Sequence, residues 1–247
     1  MKANKLLFQF VCFFRFKDLR NSFFMTNEQK IIQSWQANAN NWIEIIDNNG
    51  IESRKLVTNK AIVDAVCKGK PVNVLDIGCG EGWLSKELQA KGMDITGMDV
   101  IPALIAKTKE NVAGNFFVAS YEDVYENNIS FSKHFDAIVI NFALIGKEST
   151  DNLLPALPKL LSEKGKLYIQ TLHPHSRKAI NDYESGWKEG SWDGLGDQFS
   201  LPYEWYFRTM EDWLLLLAGS GFTKINTTEV LHPQTSKPLS VIFECAR

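Results

Sequence analysis

Residues 74–88 read VLDIGCGEGWLSKEL, and the fold turns on this stretch. An apolar run enters a loop with glycines at 78, 80 and 82, and helical spacing begins at Trp83. A glycine-rich turn from strand to helix places backbone N–H groups and a helix N-terminus beside a ligand at the carboxyl edge of a sheet. The phosphate-binding versions of this turn do not fit. The dinucleotide pattern needs a third glycine where Trp83 stands, and no Gly-Lys-Ser/Thr follows to make a Walker loop. Asp76, two residues before Gly78, would repel a pyrophosphate but would attract an amino group or another cation.

Outward from this loop, short apolar runs alternate with helical patterns. Strands are expected at 72–77, 94–98, 115–119, 135–141 and 166–171, with helices at 83–91, 102–112 and 151–161. Continuous apolar strands separated by helices indicate a parallel sheet covered on both faces. Two last strands, 223–230 and 239–245, are joined by LHPQTSKP, too short for a crossover helix, so they form an antiparallel hairpin. The expected fold is α/β: a doubly wound, mostly parallel seven-stranded sheet with an antiparallel C-terminal hairpin and helices on both faces. Ahead of it, residues 28–47 carry an amphipathic helix, and Thr58 is placed to cap a second helix ending at Gly69. Thr209 and Asp212 form a capping box for a helix running to Gly219.

Asp99 closes the second strand, 23 residues after Asp76, where doubly wound nucleotide-binding folds place an acid that accepts ribose hydroxyls. It can also serve as a cap for the helix opening at Pro102. A ribose and a cationic group without phosphates describe S-adenosylmethionine. The sequence resembles the class I S-adenosylmethionine-dependent methyltransferases: VLDIGCGEG is similar to their first motif, GMDVI to the second, FVASYEDV to the third, and FDAIVINFALIG with LLPALPKLLSEKGKLYIQ to the fourth strand, its helix and the fifth strand. The resemblance spans residues 72–171 and is closest to small-molecule enzymes such as those of quinone biosynthesis.

By position, the resemblance implies that Asp76, Gly78, Cys79 and Gly80 hold the methionine part of the cofactor, with Asp99 on the ribose and Val100 or Ile101 on the adenine. Ser120 stands where the family more often has an acid, and Tyr121 offers its backbone N–H to the ring. Asn141 and Phe142 end the fourth strand beside the sulfonium. Arg54, in the N-terminal helical segment, is a partner for the methionine carboxylate.

Composition narrows the partners. The 247 residues suit one domain, and a formal charge of -2 gives no basic field for nucleic acid or an anionic membrane. NFAL replaces the Asn-Pro-Pro-Tyr of enzymes that methylate nucleic-acid amino groups. The four cysteines form no CxxC pair, so neither a metal site nor a disulfide framework is expected, and the setting is cytoplasmic. Residues 1–24 read as a leader, disordered or not native, with Met25 as an alternative start. Their apolar stretch falls far short of the ~20 residues that span a bilayer.

Domain organisation is therefore a leader (1–24), an N-terminal helical lid segment (25–70) and a Rossmann-like domain (71–247) with a lid insertion at 173–208. The insertion carries eight aromatics between 183 and 207, against about three at the chain average of 12%, which suggests a surface for a flat or apolar methyl acceptor. Packing of those rings against the core or a second copy is the plainer reading, as it is for Trp35 and Trp42 on the helical stripe. His173, just after the fifth strand, is the candidate general base, with His175 second and His232 either near the same face or capping the hairpin. The function expected is methyl transfer to a small acceptor by a monomer or homodimer. A non-catalytic S-adenosylmethionine-binding protein with a protein partner is the alternative, and Trp83 with Asp76 weighs against a nicotinamide oxidoreductase.

Overall fold

Each apolar run after Pro71 is buried on both faces and satisfies its backbone against strands like itself. In the computed structural model, which describes residues 25–48, 50–176 and 181–247, the leader lies outside the described residues. Strands β1 (Asn73–Ile77), β2 (Asp94–Asp99), β3 (Asn115–Val118), β4 (Phe135–Asn141) and β5 (Leu161–Leu172) are parallel. A two-stranded sheet of β6 (Gly186–Lys188) and β7 (Trp205–Phe207) stands apart, and β8 (Lys224–Leu231) and β9 (Pro238–Ala246) form the expected hairpin. The main sheet runs β3-β2-β1-β4-β5-β9-β8, with β9 antiparallel to both neighbours. Strand order reverses between β1 and β4, which marks the carboxyl edge there as the ligand crevice.

The helices are α1 (Asn27–Asp47), α2 (Asn59–Lys68), α3 (Trp83–Gln89), α4 (Pro102–Asn111), α5 (Tyr121–Tyr125), α6 (Glu148–Leu153) and α7 (Met210–Gly219). Two apolar layers cover the sheet. On one face Leu75, Ile77, Ile138 and Ile169 meet Leu153 of α6 and Trp213 and Leu217 of α7. On the other Val74, Ile95, Val139 and Tyr168 meet α2, α3 and α4 through Ile62, Leu84 and Ile105.

Three local expectations change. The helix expected at 151–161 begins earlier as α6 and gives way to two short 3-10 turns, because Pro155 and Pro158 lack the N–H that an α-helix needs. Strand β5 consequently starts at Leu161, which pairs with Phe135 ahead of a register shift. Thr58 does not cap α2: residues Arg54–Thr58 form a π-helical turn running straight into it, and the Thr58 hydroxyl donates to the Ser53 carbonyl at 3.2 Å. Thr209 accepts from Asp212 N as expected, but its own N–H goes to Ser185 Oγ, so only half of the box forms.

Helix α1 joins the core to the insertion. A complete capping box of Thr26 and Gln29 fixes its start. One face packs Ala39, Ile32 and Trp42 on Val100, Ile101 and Leu104, and another meets Trp192, Tyr203 and Phe199. The eight aromatics therefore do not spread as an open surface: Trp192, Tyr203 and Phe207 are buried, and Trp35 makes edge contacts with both Trp42 and Trp192. Rings and helix share a small core of their own because neither can bury its apolar face alone.

Asn38 is fully buried at this seam, donating to Ser200 O at 2.6 Å and accepting from Ser200 N at 2.9 Å. Asn38→Ala leaves both backbone groups without partners and is expected to cost roughly 2 kcal/mol. Chemical denaturation should show the loss, and limited proteolysis should show earlier cutting within 181–207. An unchanged midpoint would mean that the insertion does not depend on α1.

Candidate active site

The glycine loop is held by backbone geometry. Gly78 and Cys79 donate N–H groups to the Met98 carbonyl at 2.8 and 3.0 Å, tying the loop to β2. Gly78 has φ +71, and a Cβ there would come within 2.5 Å of the Ala143 methyl. Gly82 has φ +89 and abuts Thr108, whose hydroxyl donates to the Gly80 carbonyl at 2.8 Å. Only glycine meets the conformational and the steric demand together at these two positions.

Three carboxylates gather around this loop, Asp76 and Glu81 buried and Asp99 half-buried. Asp99 Oδ2 accepts the Gly80 N–H at 3.0 Å and Oδ1 accepts the Ile101 N–H at 2.9 Å, so one group joins the loop to the end of β2. The contact with Ile101 reaches the N–H of the N-cap residue itself, so Asp99 does not cap α4, which has no side-chain cap. Burial raises the Asp99 carboxyl to about 6, against the pull of these N–H groups. Asp76 accepts the Ser85 hydroxyl at 2.7 Å and is raised by burial to about 7. Glu81 accepts the Trp42 indole N–H at 2.9 Å; burial raises its carboxyl as well, opposed by Arg54.

Arg54 is largely buried rather than solvated. Its guanidinium lies 4.8 Å from the Trp83 ring and 5.8 Å from that of Trp42. It approaches Glu81 at 3.8 Å, too far for a hydrogen bond, and burial lowers its pKa. Glu28, at the other end of α1, lies against Gly146 and accepts from Ser149 N at 3.4 Å in the loop after β4. With Trp42 on the glycine loop, α1 thus crosses the carboxyl edge from β4 to β1. Ile101 is sealed beneath it, and Val100 stays half-buried.

The remaining predicted residues separate into two places. Ser120 caps α5: its hydroxyl accepts from Asp123 N and donates to Asp123 Oδ2, so the side chain is engaged within its own turn. Tyr121 carries an unexpected feature. Its hydroxyl donates to the Ala143 carbonyl at 2.9 Å and stands beside Gly78, and burial pushes its pKa far upward, so the phenol stays neutral. Asn141 and Phe142 end β4 next to these groups, with Phe142 at φ +53, a strained conformation of the kind that clusters at functional sites.

His173 lies apart. Its ring is buried, Nδ1 accepts the His175 N–H at 3.1 Å, and Nε2 faces Glu229 on β8 at 3.2 Å, toward the far edge of the sheet. That arrangement suits a positioning role and does not bring it to the glycine loop. His173, His175 and Glu229 have ligand atoms within 4.8 Å of one another, the spacing of a metal site. The Nδ1 bond, however, places the ring proton on Nε2, the atom that faces Glu229. His232 Nδ1 accepts from Gln234 N and Thr235 N and so caps the hairpin.

Sequence reading missed Glu81, the Tyr121 side chain and Gln170. Glu81 sits inside the quoted loop, and Gln170 interrupts an otherwise apolar strand. Among the described residues, Glu81 Oε1, Asn141 Oδ1 and Gln170 Oε1 are the buried side-chain oxygens without a hydrogen-bond partner.

Comparison with known proteins gives the family and the fold. A family profile described as "Methyltransferase domain" matches residues 35–226. The chain belongs to this family. An uncharacterized methyltransferase of Alkaliphilus oremlandii is 27% identical over 213 residues, covering 81% of this methyltransferase and 92% of the relative. A ubiquinone biosynthesis O-methyltransferase of Xanthomonas oryzae pv. oryzae is 30% identical over 105 residues, which is 40% of this chain and 43% of that protein. Among solved structures, the fold matches a S-adenosylmethionine-dependent methyltransferase from Mesorhizobium loti (TM-score 0.56, 19% identity, 74% of this chain and 96% of that one). It also matches the DhpI-SAM-HEP complex (TM-score 0.65, 12% identity, 92% and 100%). No helix among the described residues is long and apolar enough to cross a membrane.

The carboxyls of the methyltransferase carry a pH signature. Asp76 and Asp99 titrate higher folded than the ~3.9 of an unfolded aspartate. Between those values the native state holds more protons, so the stability they contribute is full below pH ~4 and is lost as pH rises through about 6 and 7. Thermal unfolding of the ligand-free protein from pH 5 to 8 should show this fall, with a shallower slope in Asp76→Asn. A mutant slope equal to that of wild type would place the aspartate in solvent.

Proposed function

We propose that the protein transfers a methyl group from S-adenosylmethionine to a small acceptor. The observation that carries this reading is the charge layout: buried Asp76 and Glu81 and half-buried Asp99 surround a left-handed glycine loop, and Arg54 stands at one side. Such a cleft repels phosphates and fits a nucleoside that bears positive charge and a single carboxylate. The residues accommodate this donor. Each Asp99 oxygen accepts one N–H and keeps a lone pair for one ribose hydroxyl. Glu81 Oε1 lacks a partner where a cation would lie, and the stacked Arg54 fork is not committed to Glu81.

When bound, the sulfonium supplies an electrophilic methyl and a neutral leaving group. The chain supplies position. Gly78, Cys79 and Gly80 approach the ligand with backbone, Val100 offers an apolar wall to the adenine, and the backbone around Ser120 and Tyr121 borders the ring. Asn141 and Phe142 border the transferred methyl, with the neutral Tyr121 hydroxyl beside them. Holding nucleophile, carbon and sulfur in line and excluding water can supply about 7 to 11 kcal/mol. His173 enters this reading as a group that steadies the end of β5, and a general base is not needed for a nucleophile that sheds its proton to water.

A small acceptor is favoured because α1 and the insertion roof the carboxyl edge, and because a net charge of -2 offers no field for nucleic acid. The non-catalytic alternative needs the aromatic loop free for a protein partner. Its largest rings are instead occupied with α1. A monomeric or dimeric cytoplasmic enzyme remains part of the proposal.

Calorimetric titration of S-adenosylhomocysteine tests the reading. Micromolar binding is expected, weakened at least tenfold, or ~1.4 kcal/mol, in Asp99→Ala. Arg54→Ala should weaken S-adenosylhomocysteine at least fivefold and leave adenosine binding unchanged. Absence of binding by wild type would end the proposal.

A further inference from the structure

The β4–β5 seam pairs Asn141, placed above beside the transferred methyl, with Gln170, which the cofactor assignments do not use. Asn141 and Gln170 are register partners on adjacent parallel strands, so their side chains share one face of the sheet. That face is apolar below them, with Val139 and Tyr168 at the previous level. Gln170 is 1% exposed, and its amide nitrogen donates to Ser240 Oγ on β9 at 2.9 Å. With its nitrogen held on the β9 side, Gln170 has Oε1 as the amide atom left for a further partner. Both amide oxygens are buried and without a donor. The Phe142 N–H donates to the Gln170 carbonyl at 2.7 Å and locks the two strand ends together. A pair of fixed acceptors facing no donor is rare in a finished core and marks a place where a donor arrives.

The glycine loop follows β1, the neighbour of β4, so the cofactor's sulfur end lies one strand before this seam. Whatever attacks the methyl stands beyond it. We infer that Asn141 and Gln170 select the acceptor by its nucleophile, and that the nucleophile is a primary amine. The inference rests on the methyl-transfer reading above. Two acceptor oxygens on register partners of neighbouring strands suit the two N–H bonds of one amine at ~2.9 Å each, and they leave its lone pair free to point at the methyl carbon. A hydroxyl has one hydrogen to offer, and a carboxylate has none and would be repelled. In the transfer the ammonium first sheds one proton to solvent; the lone pair of the neutral amine then forms the new N–C bond while the C–S pair stays on sulfur as a thioether. The resulting ammonium then loses one proton to solvent. Amide oxygens accept hydrogen bonds from the growing positive charge without taking the proton, which matches the absence of a base at this seam among the described residues.

The test uses the S-adenosylhomocysteine complex of the full chain and ligand-observed NMR with matched probes: benzylamine, benzyl alcohol and benzoate, then phenethylamine, 2-phenylethanol and phenylacetate. Amines should bind at least tenfold more tightly than the matched carboxylates and alcohols, and with S-adenosylmethionine the bound amines should yield N-methyl products. Gln170→Met keeps the length and removes both polar atoms. It should abolish the amine preference while S-adenosylhomocysteine affinity stays within twofold and the melting temperature holds or rises. Ser240→Ala, which frees the amide to turn, should reduce the preference at least threefold without removing an acceptor. Carboxylates or alcohols binding as well as amines, or no probe whose binding depends on Gln170, would overturn the inference. A Gln170→Met loss of S-adenosylhomocysteine affinity would also overturn it, by placing the pair on the cofactor. Failure of wild type to bind S-adenosylhomocysteine is a separate result and strikes the methyl-transfer reading itself.

Discussion

Asp76 and Glu81 are buried at the glycine loop and Asp99 is half-buried against it, and an uncompensated buried carboxylate is among the costliest groups a fold can hold. Much of the upper structure can be understood as partial compensation. Ser85 on α3 faces Asp76, the N–H groups of Gly80 and Ile101 face Asp99, and the indole of Trp42 with the more distant Arg54 faces Glu81. None of the compensation is complete, since burial still raises all three carboxyls. A cation-bearing ligand supplies the part that the protein withholds, and the binding energy comes from that deficit.

The same constraint explains why α1 lies where it does. A helix with Trp42 on one flank and Trp35 on the next can satisfy Glu81 and bury the insertion in one placement. Trp35 donates its indole N–H to Tyr203, and Trp192 donates to Ser34, so the indoles form hydrogen bonds as well as apolar contact. The result is a run of direct contacts from the glycine loop through α1 to residues about 160 positions later in the chain. Loss of the outer contacts would loosen the covering of Val100 and Ile101, because one helix serves both layers.

Elements defined by local chemistry were legible in the sequence. Strand β4 was read to its exact ends, since a continuous apolar run between polar flanks admits few other solutions, and the hairpin followed from a linker too short to cross over. The cluster of Asp76, the glycines and Asp99 was legible because these residues lie on consecutive elements of one motif. What composition could not give was direction. Eight rings in 25 residues predict burial of something, but only the partner, α1, decides that they bury one another. His173 shows the same limit: position after β5 placed it at the carboxyl edge, while its ring turned on Glu229 from a strand 56 residues away. Thr58, expected as a cap, makes no cap bond, and Ser120, expected near the adenine, is a cap, because a hydroxyl near a helix start serves more than one use and only backbone geometry chooses.

Stability and function are therefore divided along the sheet. Below the carboxyl edge the two faces are filled by apolar side chains, and the strands pair in order through β9. At the edge the order reverses: orphaned oxygens, raised carboxyls, three left-handed glycines and Phe142 in a strained turn all lie within one layer. Features of this kind persist only where the surrounding structure over-determines them, and here the apolar layers below supply that support. The edge can then be built for a ligand's charges and hydrogen-bond donors rather than for its own stability, and an apolar replacement there would be expected to favour the fold at the expense of the site.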